Sequence, residues 1–232
     1  MPAITVRSGR RRIRQFSALL LVTLALAGCA STGQTDTTAP NPATKPAFYS
    51  PVQDGDVTIP AVDVSKIDPR YLRQIVDYST GEPPGTIVVD PYHRFLYLVM
   101  EGGKAMRYGV GVAKAGLEFQ GAATIARKAE WPHWAPTLDM IKRQPDLYKP
   151  VASGLDGGLG NPLGARALYL FKGGKDTLYR LHGTNQPWSI GHAVSSGCIR
   201  LLNQDIIDLY RRVQRGARVV VLGPGQGRQG DS

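Results

Sequence analysis

The sequence predicts a mostly β fold with short helices, in which the sheet curls into a barrel or a sandwich. Short apolar segments follow one another closely, and turn signals such as Pro-Tyr-His-Arg at 91–94 and Gly102-Gly103 separate them. Many short strands in one region are typical of closed or two-layered sheets. The six predicted strands cover residues 86–90, 95–101, 104–112, 165–171, 177–181 and 218–222. Together they indicate one domain at 85–222, which is long enough to bury a core.

Helices have a minor part in this prediction. Asn203 is expected to cap a helix whose apolar residues recur at helical spacing up to Val213, with Gly216 as its stop. A second, weaker helix is predicted at 138–143. Elsewhere between 116 and 162 the periodicity is lost, and we expect a long irregular segment of the kind that often forms functional loops.

The N-terminal residues 1–28 are predicted to be a lipoprotein signal peptide. Five arginines between positions 7 and 14 precede a twelve-residue apolar run at 16–27, which is shorter than the roughly 20 residues of a membrane-spanning helix. Leu26-Ala27-Gly28-Cys29 resembles the lipobox of bacterial lipoproteins, which implies cleavage before Cys29 and lipidation of its sulfur. Ala30 then implies an outer-membrane lipoprotein that faces the periplasm. An ordinary signal peptide, with an incidental Cys29, is the alternative.

The segments that flank the domain have simpler compositions. Residues 29–64 are predicted to be the lipidated cysteine and a flexible tether, because the first part is rich in Thr, Pro, Ala, Ser and Asn. Residues 65–84 are predicted to form a lead-in helix and loop, with Asp68 as N-cap and Pro69 at the first helical position. Residues 223–232 are predicted to be a flexible tail.

The stretch from His182 to Arg200 contains the residues with the clearest chemical potential. Cys198 follows Ser195, Ser196 and Gly197, small residues that leave a sulfur approachable and backbone N–H groups free to face a substrate oxygen. With Cys29 lipidated, Cys198 has no partner for a disulfide, and a free thiol in an exported chain requires a functional explanation. A thiol needs a base or a positive neighbour to react at neutral pH, and His182 is the candidate base. A buried, inert cysteine is the alternative, and His192 is the competing base.

This stretch resembles the signature of the L,D-transpeptidase (YkuD-like) catalytic domain family. The matching residues are HGTN at 182–185, IG at 190–191 and SSGCIR at 195–200. Many members have a histidine before the Gly-Cys pair, where this chain has Ser196. The resemblance extends over most of 85–222 and implies an L,D-transpeptidase-like β-barrel or sandwich with the cysteine in a cleft under a loop.

The resemblance also implies a reaction, acyl transfer on peptidoglycan stem peptides. Cys198 would attack the third residue of a tetrapeptide stem, and an amine acceptor would resolve the thioester. His182 would shuttle the proton, with the Gly183 carbonyl orienting its ring. Backbone N–H groups of Ser196, Gly197 and Cys198 would form the oxyanion hole.

Four further residues are candidates for substrate binding. Arg200 would bind a substrate carboxylate or hold the cysteine loop by hydrogen bonds. Ser195 belongs to the same loop, and Trp134 and Trp188 would line or cover the cleft, although aromatic side chains in such places often only pack.

Composition restricts the partners. The formal charge of +10 falls to +5 once the signal segment, with five arginines and no acid, is removed. This mild basicity suits an anionic envelope substrate, and no nucleic-acid-binding motif accompanies it. Four scattered histidines and one free thiol do not have the spacing of a zinc site, so we expect no metal and no cofactor. The oligomeric state stays open.

Two other functions remain possible at this point. A cysteine amide hydrolase of the same fold would use water in place of the acceptor amine, and a non-catalytic wall-binding module would keep the fold alone. The presence of both His182 and Cys198 argues against the binding module.

Overall fold

A mixed sheet dominates the part of the chain that the structure, a computed structural model, describes, which is residues 47–114 and 119–226. The strands are β1 (Val52–Asp54), β2 (Val57–Ile59), β3 (Gln74–Asp77), β4 (Ile87–Asp90), β5 (Phe95–Val99), β6 (Lys104–Gly109), β7 (Val112–Ala113), β8 (Gly121–Glu130), β9 (Arg166–Lys172), β10 (Lys175–His182), β11 (Ala193–Ser195), β12 (Ile199–Arg200) and β13 (Arg218–Val221). The α-helices are α1 (Leu138–Arg143), α2 (Pro145–Tyr148) and α3 (Asn203–Arg212). The predicted mostly β fold with short helices is confirmed.

Within these described residues, nine strands form the main sheet in the order β12, β10, β9, β8, β13, β4, β5, β6 and β3. Neighbours are antiparallel except at two pairs, β10 with β12 and β13 with β4, which are parallel. The hairpin β1–β2 and the parallel pair β7–β11 lie outside the main sheet.

The sheet curls because its edge strand β12 also meets the segment that follows β6. Gly111 and Arg200 exchange both backbone hydrogen bonds, at 2.8 and 2.9 Å. Strand β12, at one end of the sheet, is thereby joined to the chain that follows β6, near the other end. This agrees with the predicted barrel-like curvature. Closure of this kind satisfies the backbone groups of an edge strand. It also places the cysteine loop, just before β12, next to β7 and β11.

The core lies on both faces of the central strands. Ile87 and Val89 of β4 pack with Ile206 and Leu209 of α3, whereas Val88 lies on the opposite face in a separate cluster. Strands that are buried on both sides are near-continuous apolar runs, as β4 and β5 are in the sequence. Burying one such aliphatic side chain typically contributes about 1.5–3 kcal/mol.

The N-terminal flank differs from its prediction. Chain that was expected to be a tether up to residue 64 is folded from Ala47 on: Tyr49 is buried, and Asp54 of β1 forms a two-pronged ion pair with Arg166 of β9 at 2.7 Å for each contact. The predicted lead-in helix is wrong. Asp68 does cap a helical turn, but this 3-10 turn (Pro69–Tyr71) is followed by β3, an edge strand of the main sheet.

Two further corrections concern the domain itself. The segment predicted to be irregular contains β8, a ten-residue strand in the middle of the sheet, before it reaches the predicted helix at Leu138–Arg143. Asn203 does not cap α3 but is its first residue. Its side chain accepts from the Ala165 N–H at 3.0 Å and donates to the Thr184 carbonyl at 3.0 Å.

Cys29 and the predicted signal peptide lie outside the described residues, as does most of the predicted tail. Among the helices that the structure does describe, none has the length and apolar character needed to cross a bilayer.

Candidate active site

Cys198 lies in the turn between β11 and β12, and the residue is partly exposed. The preceding Gly197 is buried and has φ of 146°, a conformation that side chains rarely permit. The Ser195 hydroxyl holds this turn, because it donates to the Cys198 carbonyl at 2.6 Å and accepts from the Gly197 N–H at 3.3 Å. The loop is thus fixed by local contacts that small residues make possible.

His182 is the last residue of β10, as the sequence predicts, and only 4% of its surface is exposed. Its Nδ1 lies 2.6 Å from the Gly183 carbonyl oxygen. A carbonyl only accepts, so Nδ1 carries the proton and, in the neutral ring, Nε2 has a free lone pair. Burial, helped by the Arg200 charge, lowers the pKa of His182 to about 3, so the imidazole is neutral at physiological pH.

The parallel pairing of β10 with β12 brings the two residues together. Leu181 pairs with Ile199, and His182 pairs with Arg200 two positions after the cysteine. Paired residues of adjacent strands point to the same side of a sheet. His182, Cys198 and Arg200 accordingly line a single cleft of about 870 Å³.

The thiol is protonated at rest. Burial raises the pKa of Cys198, and the Arg180 backbone N–H and the charges of Arg180 and Arg200 only partly oppose this effect. With His182 neutral as well, the resting site is a thiol and an imidazole rather than a thiolate and an imidazolium. Proton transfer must then accompany attack on a substrate.

Arg200 projects into this cleft with spare hydrogen-bonding capacity. Its Nη1 donates to the Gln186 Oε1 at 2.8 Å. In the described part of the chain, no carboxylate forms a salt bridge with it, although burial lowers its pKa. A half-buried guanidinium with only an amide partner is suited to bind an anionic group of a ligand.

The segment between β8 and β9 forms the opposite wall of the cleft. Trp134 and Tyr148 line it with ring centroids 6.3 Å apart, and Met140 of α1 joins them. Trp134 also forms a short antiparallel bridge with Leu155, which ties the two ends of this segment together. The segment can therefore cover a bound ligand as an ordered structure.

The structure separates Trp188 from the other predicted site residues. Trp188 is 58% exposed and lines a second groove of about 440 Å³ with Leu159 and Leu202, not the cleft of Cys198. The 3-10 turn Pro187–Ser189 sets this direction. The prediction that Trp188 covers the cleft is wrong.

The oxyanion prediction also needs revision at Gly197. Its N–H is engaged by the Ser195 hydroxyl within the loop. The N–H groups of Ser196 and Cys198 are thus better candidates for stabilising charge on a substrate oxygen. Ser195, expected to bind substrate, mainly holds the turn, although it also borders the cleft.

The remaining histidines lie elsewhere. His192 is exposed and does not line the cleft, so it is a poor rival for the role of base. His93 binds Asp90 at 2.7 Å, and His133 binds Asp156 at 3.2 Å. Among the described residues, no three His, Cys, Asp or Glu side chains are grouped in a way that could hold a metal ion.

Reasoning from the sequence missed the middle of β10, whose backbone borders the sulfur. The Leu178 carbonyl oxygen lies 3.9 Å from the Cys198 Sγ, and Leu178 has a left-handed φ of 64°. The only available signal was Asp176-Thr177, two residues that cap turns, within an otherwise strand-like segment.

Residues 84–221, which include both Cys198 and His182, match the YkuD family, the L,D-transpeptidase catalytic domain. A relative from Fuscovulum blasticum, provisionally named an L,D-transpeptidase, is 37% identical over 146 residues, covering 62% of this chain and 71% of that protein. The probable L,D-transpeptidase ErfK/SrfK of Escherichia coli (strain K12) is 32% identical over 140 residues, covering 60% of this chain and 44% of that protein. This chain therefore spans less than half of that relative.

A solved structure from Brucella melitensis, described as a probable carnitine operon oxidoreductase, is 56% identical, with a TM-score of 0.47. The match covers 69% of this chain and 99% of that one. L,D-transpeptidase 3 from Mycobacterium tuberculosis is 17% identical, covers 60% of each chain and has a TM-score of 0.44.

Proposed function

The chain belongs to the YkuD family of L,D-transpeptidase catalytic domains, and we propose that Cys198 is the nucleophile of its acyl transfer on peptidoglycan stem peptides. The observation that carries this proposal is the shared cleft: one cavity is lined by a partly exposed cysteine, a buried neutral imidazole and an arginine that pairs with no carboxylate among the described residues. A nucleophile beside an oriented base is the arrangement that acyl transfer requires.

In the first half-reaction, the Cys198 sulfur attacks the carbonyl carbon of the third stem residue while the His182 Nε2 takes the thiol proton. The Gly183 carbonyl keeps Nδ1 protonated, so only Nε2 is available as the base. The imidazolium then returns the proton to the leaving nitrogen, and free D-alanine departs. A thioester between Cys198 and the shortened stem remains.

In the second half-reaction, an acceptor amine attacks the thioester and His182 takes its proton. The new amide forms, and the proton passes to the departing sulfur, which restores the thiol. The N–H groups of Ser196 and Cys198 would stabilise the oxyanion in both steps, a contribution typically of about 3 kcal/mol per donor.

Binding of the stem would use the walls of the cleft. Arg200 would hold a carboxylate of the donor peptide, because it lines the cavity and its guanidinium donates to Gln186 and to no carboxylate in the described part of the chain. Trp134 and Tyr148 would cover the peptide from the opposite wall. The cleft, of about 870 Å³, is large enough for a peptide segment of several residues.

The products formed from disaccharide tetrapeptides test this proposal. Purified protein should convert them into cross-linked dimers, detected by mass spectrometry, and Cys198→Ala protein should return them unchanged. Shortened monomers without dimers would instead identify a hydrolase, with water as the acceptor. Unchanged substrate with the wild-type protein would refute the catalytic proposal and leave a wall-binding role.

We also propose that the chain is an outer-membrane lipoprotein that faces the periplasm and is anchored through Cys29. The support is the basic and apolar segment before Leu26-Ala27-Gly28-Cys29. Expression of the full chain in cells fed labelled palmitate should label the wild type and not Cys29→Ala. A soluble, unlabelled wild-type protein would contradict the anchor.

A further inference from the structure

Strand β10 is irregular in its middle, opposite the cysteine loop. Its pairing with β9 shifts register between Asp176 and Arg180. Leu178, at the centre of this bulge, has a φ of 64°, which is uncommon for a residue other than glycine. The Leu178 side chain is 62% exposed, so burial of its apolar surface does not maintain the conformation. Some other contact must do so.

Asp176 makes that contact. Its Oδ1 accepts from the Leu178 N–H at 2.8 Å, which fixes the backbone at the centre of the bulge. Both of its oxygens also accept from the Arg180 guanidinium, at 2.9 and 3.1 Å. One carboxylate therefore joins the start, the centre and the end of the bulge.

Thr177, also in β10, supports the same geometry by bonding to the neighbouring strand β9. Its hydroxyl donates to the Leu170 carbonyl of β9 at 2.6 Å and accepts from the Tyr179 N–H at 3.2 Å. These bonds replace ladder contacts that the register shift removes. The bulge is thus bonded at each of its residues and is not a mobile defect.

The bulge presents two backbone groups to the Cys198 sulfur. The Leu178 carbonyl lies 3.9 Å from Sγ, within reach of the S–H. The Arg180 backbone N–H acts on the same atom as a hydrogen-bond donor that lowers the pKa of the thiol. The carbonyl can accept a hydrogen bond from the thiol, and the N–H can donate one to the thiolate. The sulfur therefore has a backbone partner in either charge state. In a regular strand the N–H and carbonyl groups follow a fixed pattern along the backbone, so β10 without the bulge would not present these two groups to the sulfur in the same way.

Resting on the proposed function, we propose that Asp176 is a positioning residue for Cys198. Asp176 holds the β10 bulge that places the Leu178 carbonyl and the Arg180 N–H against the sulfur. Its carboxylate also neutralises the charge of the Arg180 guanidinium. Asp176 does not line the cleft, so it acts on the substrate only through the cysteine.

Two substitutions separate its two roles. Asp176→Ala removes both the acceptor for the Leu178 N–H and the partner of Arg180, whereas Asp176→Asn keeps an acceptor and removes the charge. Glu82→Gln is the matched control, because Glu82 forms a similar two-pronged pair with Arg218, at 2.8 and 3.3 Å, away from the cleft. Melting temperatures establish that each variant is folded.

The readout is the rate of Cys198 alkylation by iodoacetamide as a function of pH, together with kcat and KM for cross-linking. Asp176→Asn should shift the alkylation profile to lower pH, because the Arg180 charge next to the sulfur is no longer neutralised. Asp176→Ala should lower kcat by about 10-fold or more with little change in KM, and Asp176→Asn should recover part of that loss. Glu82→Gln should match the wild type in both assays.

The proposal is overturned if both Asp176 variants keep the wild-type alkylation profile and kcat, as Glu82→Gln is expected to do. If Asp176→Ala does not fold, the profile of Asp176→Asn decides alone. The alkylation assay needs no peptidoglycan, so a shifted profile in a protein that forms no cross-links would sustain the positioning role and refute the proposed function.

Discussion

Two buried polar clusters both draw residues from the segment 198–208 of the chain and have opposite characters. The first is the site of Cys198 and His182, which opens into the cleft. The second, which we term the Asp205 cluster, consists of Tyr49, Arg73, Asp205 and Asp208 and joins the N-terminal flank to α3. Both contain groups with strongly shifted pKa values. Only the first cluster is open to a ligand.

The bonding of the Asp205 cluster is directed inward. The Tyr49 hydroxyl donates to Asp205 Oδ2 at 3.1 Å and accepts from the Arg73 N–H at 2.7 Å, and Arg73 pairs with Asp208 at 2.9 Å. None of these four residues borders the cleft or the second groove. In contrast, His182 uses one nitrogen to bind Gly183 and keeps the other free. A shifted pKa therefore identifies an active site only together with access for a ligand.

The largest expected effect is that of Cys198→Ala. Cross-linking should fall by about 10³-fold or more, because no other described side chain in the cleft is a comparable nucleophile. The free energy of unfolding should change by less than about 1 kcal/mol, since the side chain is small and only partly buried. Product analysis and urea denaturation measure the two quantities. Retained cross-linking would reassign the nucleophile.

Substitution of the base should have the next largest effect. His182→Gln should slow thioester formation by about 10²–10⁴-fold. In the wild type, the rate of this half-reaction should show no loss near pH 6.5, because His182 becomes protonated only near its pKa of about 3. Rapid quench with the tetrapeptide donor, without an acceptor amine, measures both. A decline centred near pH 6.5 would contradict the neutral, buried imidazole.

The two clusters should also differ in how pH affects stability. The pKa of His182 is lower in the folded state than in the unfolded one, so its contribution is present above pH 6.5 and is lost as the pH falls toward 3. Burial raises the pKa of Asp205 to about 7, so its contribution is present at low pH and is lost as the pH rises through 7. The same fold is thus weakened by acid at one cluster and by base at the other.

Asp205→Asn isolates the second effect. As the pH rises from 5 to 8, the melting temperature of this variant should improve relative to that of the wild type, because Asn has no proton to lose. Asp54, whose pKa the hydrogen-bonded Arg166 guanidinium holds below its usual range, provides the control: Asp54→Asn should show no such trend. If instead the melting temperature of the wild type rose relative to that of Asp205→Asn as the pH increased, the pairing with Arg73 would keep Asp205 ionised over the whole range.

The smallest expected effect is that of Tyr49→Phe. Removing the hydroxyl breaks two hydrogen bonds of the Asp205 cluster and should lower the free energy of unfolding by about 1–2 kcal/mol. Cross-linking should be unchanged, because the cluster does not reach the cleft. Denaturant titration beside the product assay tests this, and a large loss of activity in a stably folded variant would show that the clusters are coupled.

The sequence predicted the parts of the site that depend on local motifs. The position of His182 at a strand end and the small residues around Cys198 follow from the order of residues along the chain. The hydrogen bond from His182 to the Gly183 carbonyl, also expected, joins adjacent residues. The aliphatic strands β4 and β5 were predictable because both their faces are buried.

Features that depend on distant contacts were not predictable in the same way. In β8 only Ala123 and Ile125 are buried, and a register shift at 125–127 interrupts the alternation, so the strand has no clear period. In β3, Ile75 is 58% exposed on an edge strand, and its spacing from Tyr71 matches the repeat of an amphipathic helix. The direction of Trp188 and the bulge at Leu178 are set by neighbouring strands and turns that no single segment encodes.

The most direct test of the account is the mass of the intact protein after rapid acid quench with a tetrapeptide donor and no acceptor amine. We predict an adduct on Cys198 whose added mass equals that of the tetrapeptide minus that of free D-alanine, and that is absent from Cys198→Ala protein. Release of D-alanine with no adduct on Cys198 at any quench time, or an adduct that persists in Cys198→Ala, would contradict covalent catalysis by this thiol.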